Sequence, residues 1–121
     1  MQARYGRRVS VECSVMFGGE NTVGEGRILD LSLPGCLLES TQQMSSGEYL
    51  QLRLFLSDNL TPLHIPLAAV RWVNGFKAGI EFIRTSQDEQ CRLKQFVHRR
   101  LGKEQMSCWR EGAVGIVPTR A

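Results

Sequence analysis

Apolar and polar side chains alternate along most of the chain. From Val9 to Phe17 every second residue is apolar, a period of two that is typical of a half-buried β-strand and does not fit a helix. A Gly-Gly-Glu-Asn turn follows this segment. Further strands are predicted at about Thr22–Leu31, Cys36–Ser40, Leu50–Leu56, Leu63–Val73 and Phe76–Ile83, separated by turn residues. The pattern therefore predicts six short antiparallel strands.

The strongest hairpin signal lies between the last two predicted strands. Asn74-Gly75 favours a type I′ turn, which requires positive φ at both central residues. Centred there, the turn pairs Val73 with Phe76 and places both on the core face. Trp72 then falls on the other face, where its ring can either cover Gly79 or receive the helix that follows.

One helix is predicted after the strands. Ser86 and Glu89 form the Ser-x-x-Glu pattern of a capping box, and Gly102 supplies a C-terminal stop. The apolar residues between them recur at helical spacing: Leu93, Phe96, Val97 and Leu101. The predicted fold is mainly β, a six-stranded antiparallel β-barrel with a C-terminal α-helix over residues 86–101.

The predicted domain organisation has three parts. Residues 1–8 form a flexible N-terminal arm, residues 9–101 form the barrel and its helix, and residues 102–121 form a tail with at most one extra helical turn. A length of 121 residues is that of a single ordinary domain. No stretch is apolar enough to span a membrane and no signal core follows the start, so a cytoplasmic location is expected.

Charge is unevenly distributed within a net charge of +3. Residues 1–8 carry three arginines and no acid, residues 9–83 carry four basic and eight acidic groups, and residues 84–121 carry eight basic and four acidic groups. An acidic middle argues against a broad phosphate-tracking surface, because each neutralised phosphate needs a cation. An anion site is therefore expected at the N-terminal arm.

Two short motifs carry the candidate chemistry. The first is Arg-x-x-x-Arg with an added arginine, formed by Arg4, Arg7 and Arg8; the second is Asp-x-Ser-x-x-Gly, formed by Asp30, Ser32 and Gly35. If the first hairpin turns at Gly19-Glu20, Arg8 lies beside Leu31, with a slip of up to two residues either way. The two motifs are then expected to meet at one corner of the barrel.

The residue types at this corner suit a guanine nucleotide. A guanidinium donates two parallel hydrogen bonds to a phosphate or to the O6/N7 edge of guanine. A carboxylate such as that of Asp30 accepts from the N1 and N2 hydrogens of guanine but repels a bare phosphate. A site with both charges therefore fits a guanine nucleotide better than an inorganic anion.

Together, these motifs give the chain a resemblance to the PilZ domain, the bacterial receptor module for cyclic di-GMP. Gly79-Ile80-Glu81-Phe82 is similar to the closing Gly-x-x-Phe strand of that family, and the resemblance covers about residues 4–101. It implies a six-stranded barrel with a C-terminal helix, arginines that grip the dinucleotide, and an Asp-x-Ser-x-x-Gly strand end that holds a guanine. It also implies an arm that reorders around the ligand and signals to a protein partner. The resemblance leaves one or two bound dinucleotides as alternatives.

Other classes of protein fit less well. The sequence has no nucleophile triad, phosphate-binding loop or paired carboxylates at motif spacing, so no catalytic residue and no enzyme activity are predicted. Four scattered cysteines and two histidines lack metal-ligand spacing; reduced thiols and no cofactor are expected. A DNA- or RNA-binding barrel would need exposed aromatics along a basic groove, but most of the nine aromatic residues fall at core-facing positions, so no DNA or RNA partner is expected. The main alternative is a PilZ-like protein-interaction adaptor that binds no nucleotide.

Overall fold

The computed structural model describes residues 8–57 and 61–112, with residues 103–112 described as backbone. Six antiparallel strands close into a barrel in the order β1-β2-β3-β6-β5-β4, and one helix follows them. The strands are β1 (Val9–Gly19), β2 (Val23–Leu31), β3 (Gly35–Glu39), β4 (Tyr49–Phe55), β5 (Leu63–Asn74) and β6 (Lys77–Arg84), and the helix is α1 (Gln87–Gly112). The predicted fold class, a six-stranded barrel with a C-terminal helix, is confirmed.

The barrel interior is filled by the inward-facing residues of the alternating pattern. In β4 every second side chain is buried, and β1 repeats this alternation over most of its length. Ala78 of β6 is fully enclosed, and larger fully enclosed side chains come from β1 to β5: Val15, Ile28, Leu31, Leu38, Leu52, Leu54, Leu63, Ile65 and Val70. Such a barrel is a packed core that leaves its outer face available for a ligand.

The helix α1 covers one open end of the barrel. Ser86 caps it, since its Oγ accepts the backbone N–H of Glu89 at 3.2 Å. Leu93, Phe96 and Val97 are buried against the core. The carboxylate of Glu89 does not complete the predicted capping box; its Oε2 accepts the backbone N–H of His64 at 3.4 Å, which ties the first turn of α1 to β5.

A second tie joins α1 to β1. The ladder between β1 and β4 begins at Ser14, and β1 carries a bulge between Ser10 and Cys13. Beyond this ladder, the carbonyl of Ser10 accepts a hydrogen bond from Nη2 of Arg100 at 2.9 Å. The Arg100 guanidinium also lies 5.8 Å from the centre of the Phe96 ring. Arg100 thus bonds the edge of β1 where β4 no longer pairs with it.

Replacing Arg100 by methionine is expected to destabilise the fold by about 1–3 kcal/mol, because a charge-assisted hydrogen bond and a cation–π contact are removed together. Urea unfolding followed by circular dichroism measures the change. Arg99→Met is the matched control, since the neighbouring arginine is exposed. Equal stability of the two variants would show that the bond to Ser10 contributes nothing.

The end of the helix differs from the prediction. Gly102 was expected to stop α1, but the helix continues without a break to Gly112. An interior glycine costs only about 1 kcal/mol relative to alanine, and Lys103 to Met106 are all strong helix formers. The apolar spacing that predicted the helix ends at Leu101, whereas the helical backbone continues to Gly112. The tail from residue 113 lies outside the described residues.

The register of the last hairpin also differs from the prediction. The two turn residues are Gly75 and Phe76, with Asn74 paired to Lys77, and Phe76 is 66% exposed rather than in the core. Gly75 has φ of +65° and holds the first central position, where glycine is favoured in the type II′ turn. The shift pairs Trp72 directly with Gly79. The predicted cover of that glycine by the indole ring is confirmed, in a different register.

Candidate functional site

One row of outward-facing residues crosses five strands of the barrel. The ladders connect its members in sequence: Ser10 of β1, Asp30 of β2, Leu37 of β3, Gly79 of β6 and Trp72 of β5. Their chain neighbours Val9, Leu31, Cys36 and Ile80 are buried, which places the row on the outside by strand alternation. We call these five residues the outer row. It begins beside Arg8 and ends at an exposed aromatic ring.

The aromatic end of the outer row is flat. A Cβ atom built at Gly79 would overlap the indole ring of Trp72, so the ring lies directly over the backbone of that glycine. Trp72 remains 45% exposed. The absence of a side chain at Gly79 therefore lets the indole lie against the sheet and offer its other face to a planar ligand.

An open pocket of about 230 Å³ lies alongside the outer row. Its lining includes Arg8, Ser32, Gly35, Arg71, Trp72 and Glu81. Val9 pairs with Leu31, one residue along from the predicted register and within the predicted slip. That pairing brings Arg8, the residue before β1, to the level of Ser32 in the second motif.

The Asp-x-Ser-x-x-Gly segment ends in a tight turn. The N–H and Oγ of Ser32 both donate to the carbonyl of Gly35, at 2.9 and 3.1 Å. The carbonyl of Pro34 in turn accepts the N–H of Phe82 at 2.8 Å, which fastens the turn to β6. A Cβ at Gly35 would overlap the Ile80 carbonyl. In this structure Ser32 and Gly35 therefore shape the pocket wall through contacts within the protein.

The other predicted site residues occupy different places. Asp30 is half-buried on the outer row, between Ser10 and Leu37, and does not belong to the pocket lining. Arg8 is exposed. Arg4 and Arg7 lie outside the described residues. The structure thus brings Arg8, Ser32 and Gly35 together at one pocket and places Asp30 beside it.

The pocket lining also includes residues of β5 and β6 that belong to neither motif. Trp72 and Arg71 come from β5, and Glu81 comes from β6. The Nε of Arg71 donates to Oε1 of Glu81 at 2.5 Å, and its Nη2 contacts the same oxygen. Sequence reasoning placed Trp72 over Gly79 but missed the ion pair. In the predicted register Arg71 and Glu81 lie on opposite faces of the hairpin, and the irregularity between Val70 and Trp72 brings them together, so no sequence signal pointed to this pair.

The thiols near the site are neutral. Cys36 lines the pocket with its thiol wholly enclosed, and burial raises the pKa of that thiol far above its usual value. Burial also raises the pKa of Cys13 to about 11, an effect that the nearby Arg100 partly opposes. Neither thiol is ionised near neutral pH. The cysteines that the structure describes, including exposed Cys91, are unpaired, as the sequence predicted.

Within residues 8–57 and 61–112, no helix is long and apolar enough to cross a membrane. In the same part of the chain, no three His, Cys, Asp or Glu side chains are grouped so that they could hold a metal ion.

Comparison with known proteins decides the family. A sequence model described as the PilZ domain matches residues 2–99. The chain belongs to the PilZ family. PilZ domains form a family of cyclic di-GMP receptor modules, and they generally act as receptors and effectors rather than as enzymes. No curated protein matches the sequence of this chain.

Solved structures show the same PilZ fold. The PilZ domain of CeSA from a cellulose-synthesizing bacterium superposes with a TM-score of 0.61 at 15% identity, over 81% of this chain and 98% of that one. The Bacillus subtilis inhibitor of motility, MotI/DgrA, superposes with a TM-score of 0.73 at 21% identity. That match covers 86% of this chain and 53% of MotI/DgrA, so this chain spans about half of that protein. The predicted PilZ resemblance is confirmed.

Proposed function

We propose that this PilZ domain is a bacterial cyclic di-GMP receptor that binds the dinucleotide across the outer row and the adjoining pocket. The single observation that carries the proposal is the meeting of Arg8 with the Ser32–Gly35 turn at one pocket, beside an exposed indole. A cation suits a phosphate and an aromatic face suits a base, and the Ser32–Gly35 turn shapes the pocket beside them. Family membership supplies the ligand class.

Each motif has a distinct role in this proposal. Arg4, Arg7 and Arg8 bind the phosphates and stack on or hydrogen-bond to guanine, because a guanidinium fork suits both groups. Asp30 accepts from the N1 and N2 hydrogens of one guanine. Ser32 and Gly35 keep the turn between β2 and β3 in the shape that leaves the pocket open. No cofactor takes part.

Trp72 provides a stacking face for a base. Its indole lies flat over Gly79 and is 45% exposed beside the pocket. Base–aromatic stacking contributes about 1–3 kcal/mol per base. Unlike hydrogen bonding, stacking does not distinguish guanine from adenine, so Trp72 adds affinity while the carboxylate selects the base.

Fluorescence of Trp72 tests the proposed site directly. The chain has two tryptophans, so Trp109→Phe leaves Trp72 as the sole indole reporter. Titration with cyclic di-GMP should quench this fluorescence to saturation, because a stacked guanine changes the environment of the ring. GMP at the same concentration is the control and should have little effect. A saturable calorimetric signal without any change at Trp72 would place the dinucleotide elsewhere on the chain.

The signal is proposed to arise from the N-terminal arm. Three arginines within residues 4–8 repel one another until a dianion binds between them and the Asp30 strand end. Ordering of the arm then changes the surface that a protein partner contacts, so the domain acts as a ligand-gated adaptor. This mechanism does not depend on which cellular process the domain controls or on which protein is its partner.

Hydrogen exchange measures this step. Amides of residues 1–8 are expected to exchange quickly in the free chain and to become protected when cyclic di-GMP is added, since binding orders the arm. Amides of the β4 core serve as the internal control and should exchange at the same rate in both states. Strong and equal protection of the arm with and without ligand would contradict the switch.

The alternative is an adaptor that contacts proteins without binding a nucleotide. The matching structure of MotI/DgrA is that of an inhibitor of motility, a description that is compatible with an adaptor acting through protein contacts. The presence of all five residues of the two motifs favours the receptor: Arg4, Arg8, Asp30, Ser32 and Gly35. Absence of cyclic di-GMP binding by the intact chain would favour the adaptor.

A further inference from the structure

The pocket contains a carboxylate that belongs to neither motif. Glu81 lies on β6 as the ladder partner of Gly35, and its side chain is 45% exposed. The motif acid, Asp30, lies on the outer row and outside the pocket lining. Among the described residues, the acidic side chain that lines this pocket is therefore Glu81.

Arg71 holds one end of this carboxylate and leaves the other end open. Its Nε and Nη2 both contact Oε1 of Glu81, while Oε2 accepts no hydrogen bond from the described part of the chain. Because the pair is about half-exposed on both sides, its contribution to stability is small, of the order of 0–1 kcal/mol. Stability therefore does little to explain the Arg71–Glu81 ion pair. A role in ligand binding explains it better, because Oε2 of Glu81 can accept a hydrogen bond from a ligand.

The open oxygen is well placed relative to the stacking face. Gly79, which the Trp72 indole covers, and Glu81 are two residues apart on one face of β6, a separation of about 6.8 Å. A purine stacked on the indole therefore extends its edge towards Glu81. No side chain intervenes on the neighbouring strand, because the partner of Glu81 there is Gly35.

Guanine and adenine differ in the hydrogen-bonding edge that each would present to Glu81. Guanine presents the N1 and N2 hydrogens side by side, and both can donate to one carboxylate, whereas adenine presents an acceptor at N1. Building on the proposed cyclic di-GMP receptor, we propose that Glu81 reads the Watson–Crick edge of one guanine and that Arg71 is the positioning residue that orients its carboxylate.

Two acids would then serve the two bases of one dinucleotide. Asp30 and Glu81 are separated by two strand spacings and one two-residue step, a backbone distance of about 12 Å. Leu37 and Gly79 form the floor between them. One guanine is read at the arm side of the outer row by Asp30, and the other at the Trp72 side by Glu81.

Calorimetry with a base analogue tests the role of Glu81. Cyclic di-inosine monophosphate has the N1 hydrogen but lacks the N2 amine, so the wild-type chain should prefer cyclic di-GMP. Glu81→Gln is expected to lower the affinity for cyclic di-GMP by about tenfold or more, since a bidentate pair is lost. Its effect on the inosine ligand should be smaller, which reduces the guanine preference.

Matched variants separate this role from general charge effects. Glu39→Gln removes a partly exposed carboxylate that is likewise paired with an arginine, Arg27, at 2.7 Å, and it should leave both affinities unchanged. Arg71→Lys keeps the charge but not the fork. It should reduce the guanine-to-inosine preference without changing the midpoint of thermal unfolding, a readout that a merely structural residue would not give.

The possible outcomes are distinct. If the wild-type chain binds cyclic di-GMP and Glu81→Gln binds it equally well, more tightly, or with an unchanged guanine preference, this inference is wrong while the proposed function stands. Tighter binding in particular would show that Glu81 repels the phosphates. If the wild-type chain binds no cyclic di-GMP at all, the proposed function fails and the inference fails with it.

Discussion

Arg8→Ala is expected to reduce the affinity for cyclic di-GMP by about 100-fold or more, because two charge-assisted hydrogen bonds contribute about 1.5–3 kcal/mol each. Arg8 is the described member of the arginine motif and lies at the pocket beside Ser32. Its side chain is exposed and precedes β1, so the fold should tolerate the change. Isothermal titration calorimetry measures the affinity, and circular dichroism verifies folding.

Two further variants sharpen this result. Arg8→Lys should recover only part of the affinity, since an ammonium keeps the charge but not the planar fork. Arg53→Ala removes an exposed arginine from the outer face of β4, away from the pocket, and should bind like the wild type. Wild-type affinity in the Arg8→Ala variant would show that Arg8 of the arm does not bind the dinucleotide.

The second large effect is expected at Asp30. Asp30→Ala should weaken binding of cyclic di-GMP by about 5- to 150-fold, the range that corresponds to 1–3 kcal/mol for a bidentate contact to a base. Cyclic di-AMP is expected to bind the wild type far more weakly and to be affected much less by the substitution, so base discrimination should fall. Asp30→Asn should retain part of the affinity, because its amide oxygen still accepts a hydrogen bond. Calorimetry with both ligands gives the ratio.

The control for Asp30 lies on the same strand. Glu25 is an exposed acid of β2, several residues from the pocket, and Glu25→Ala removes the same charge from the chain. Its affinity should equal that of the wild type. If Asp30→Ala binds cyclic di-GMP as tightly as the parent, the base is read by another group, and Glu81 becomes the carboxylate that selects guanine.

The strands and the start of the helix could be predicted from the sequence because each depends on residues that are close together in the chain. The alternation from Val9 to Phe17 reports which side chains face the core, and Ser86 marks the start of the helix because its hydroxyl bonds a backbone amide three residues later. Both signals act within a few residues. The register of the last hairpin was wrong by one or two residues, since the fit of Trp72 over Gly79 depends on side-chain shape rather than on the turn sequence.

The candidate site was only partly accessible to sequence reasoning. The first hairpin brought Arg8 to the Ser32 turn because those strands are adjacent in sequence and pair directly. Arg71, Trp72 and Glu81 reach the same pocket only because β3 pairs with β6, some 40 residues later in the chain. A strand order that closes the barrel is a tertiary property, so their place at the pocket became visible only in the structure.

The most direct test of the central claim is a calorimetric titration of the unmodified chain with cyclic di-GMP, alongside GMP and cyclic di-AMP. Saturable binding of cyclic di-GMP with a clear preference over both other ligands is predicted, and the fitted stoichiometry will give one or two dinucleotides per chain. No saturable heat with cyclic di-GMP, or equal affinity for cyclic di-AMP, would contradict the account.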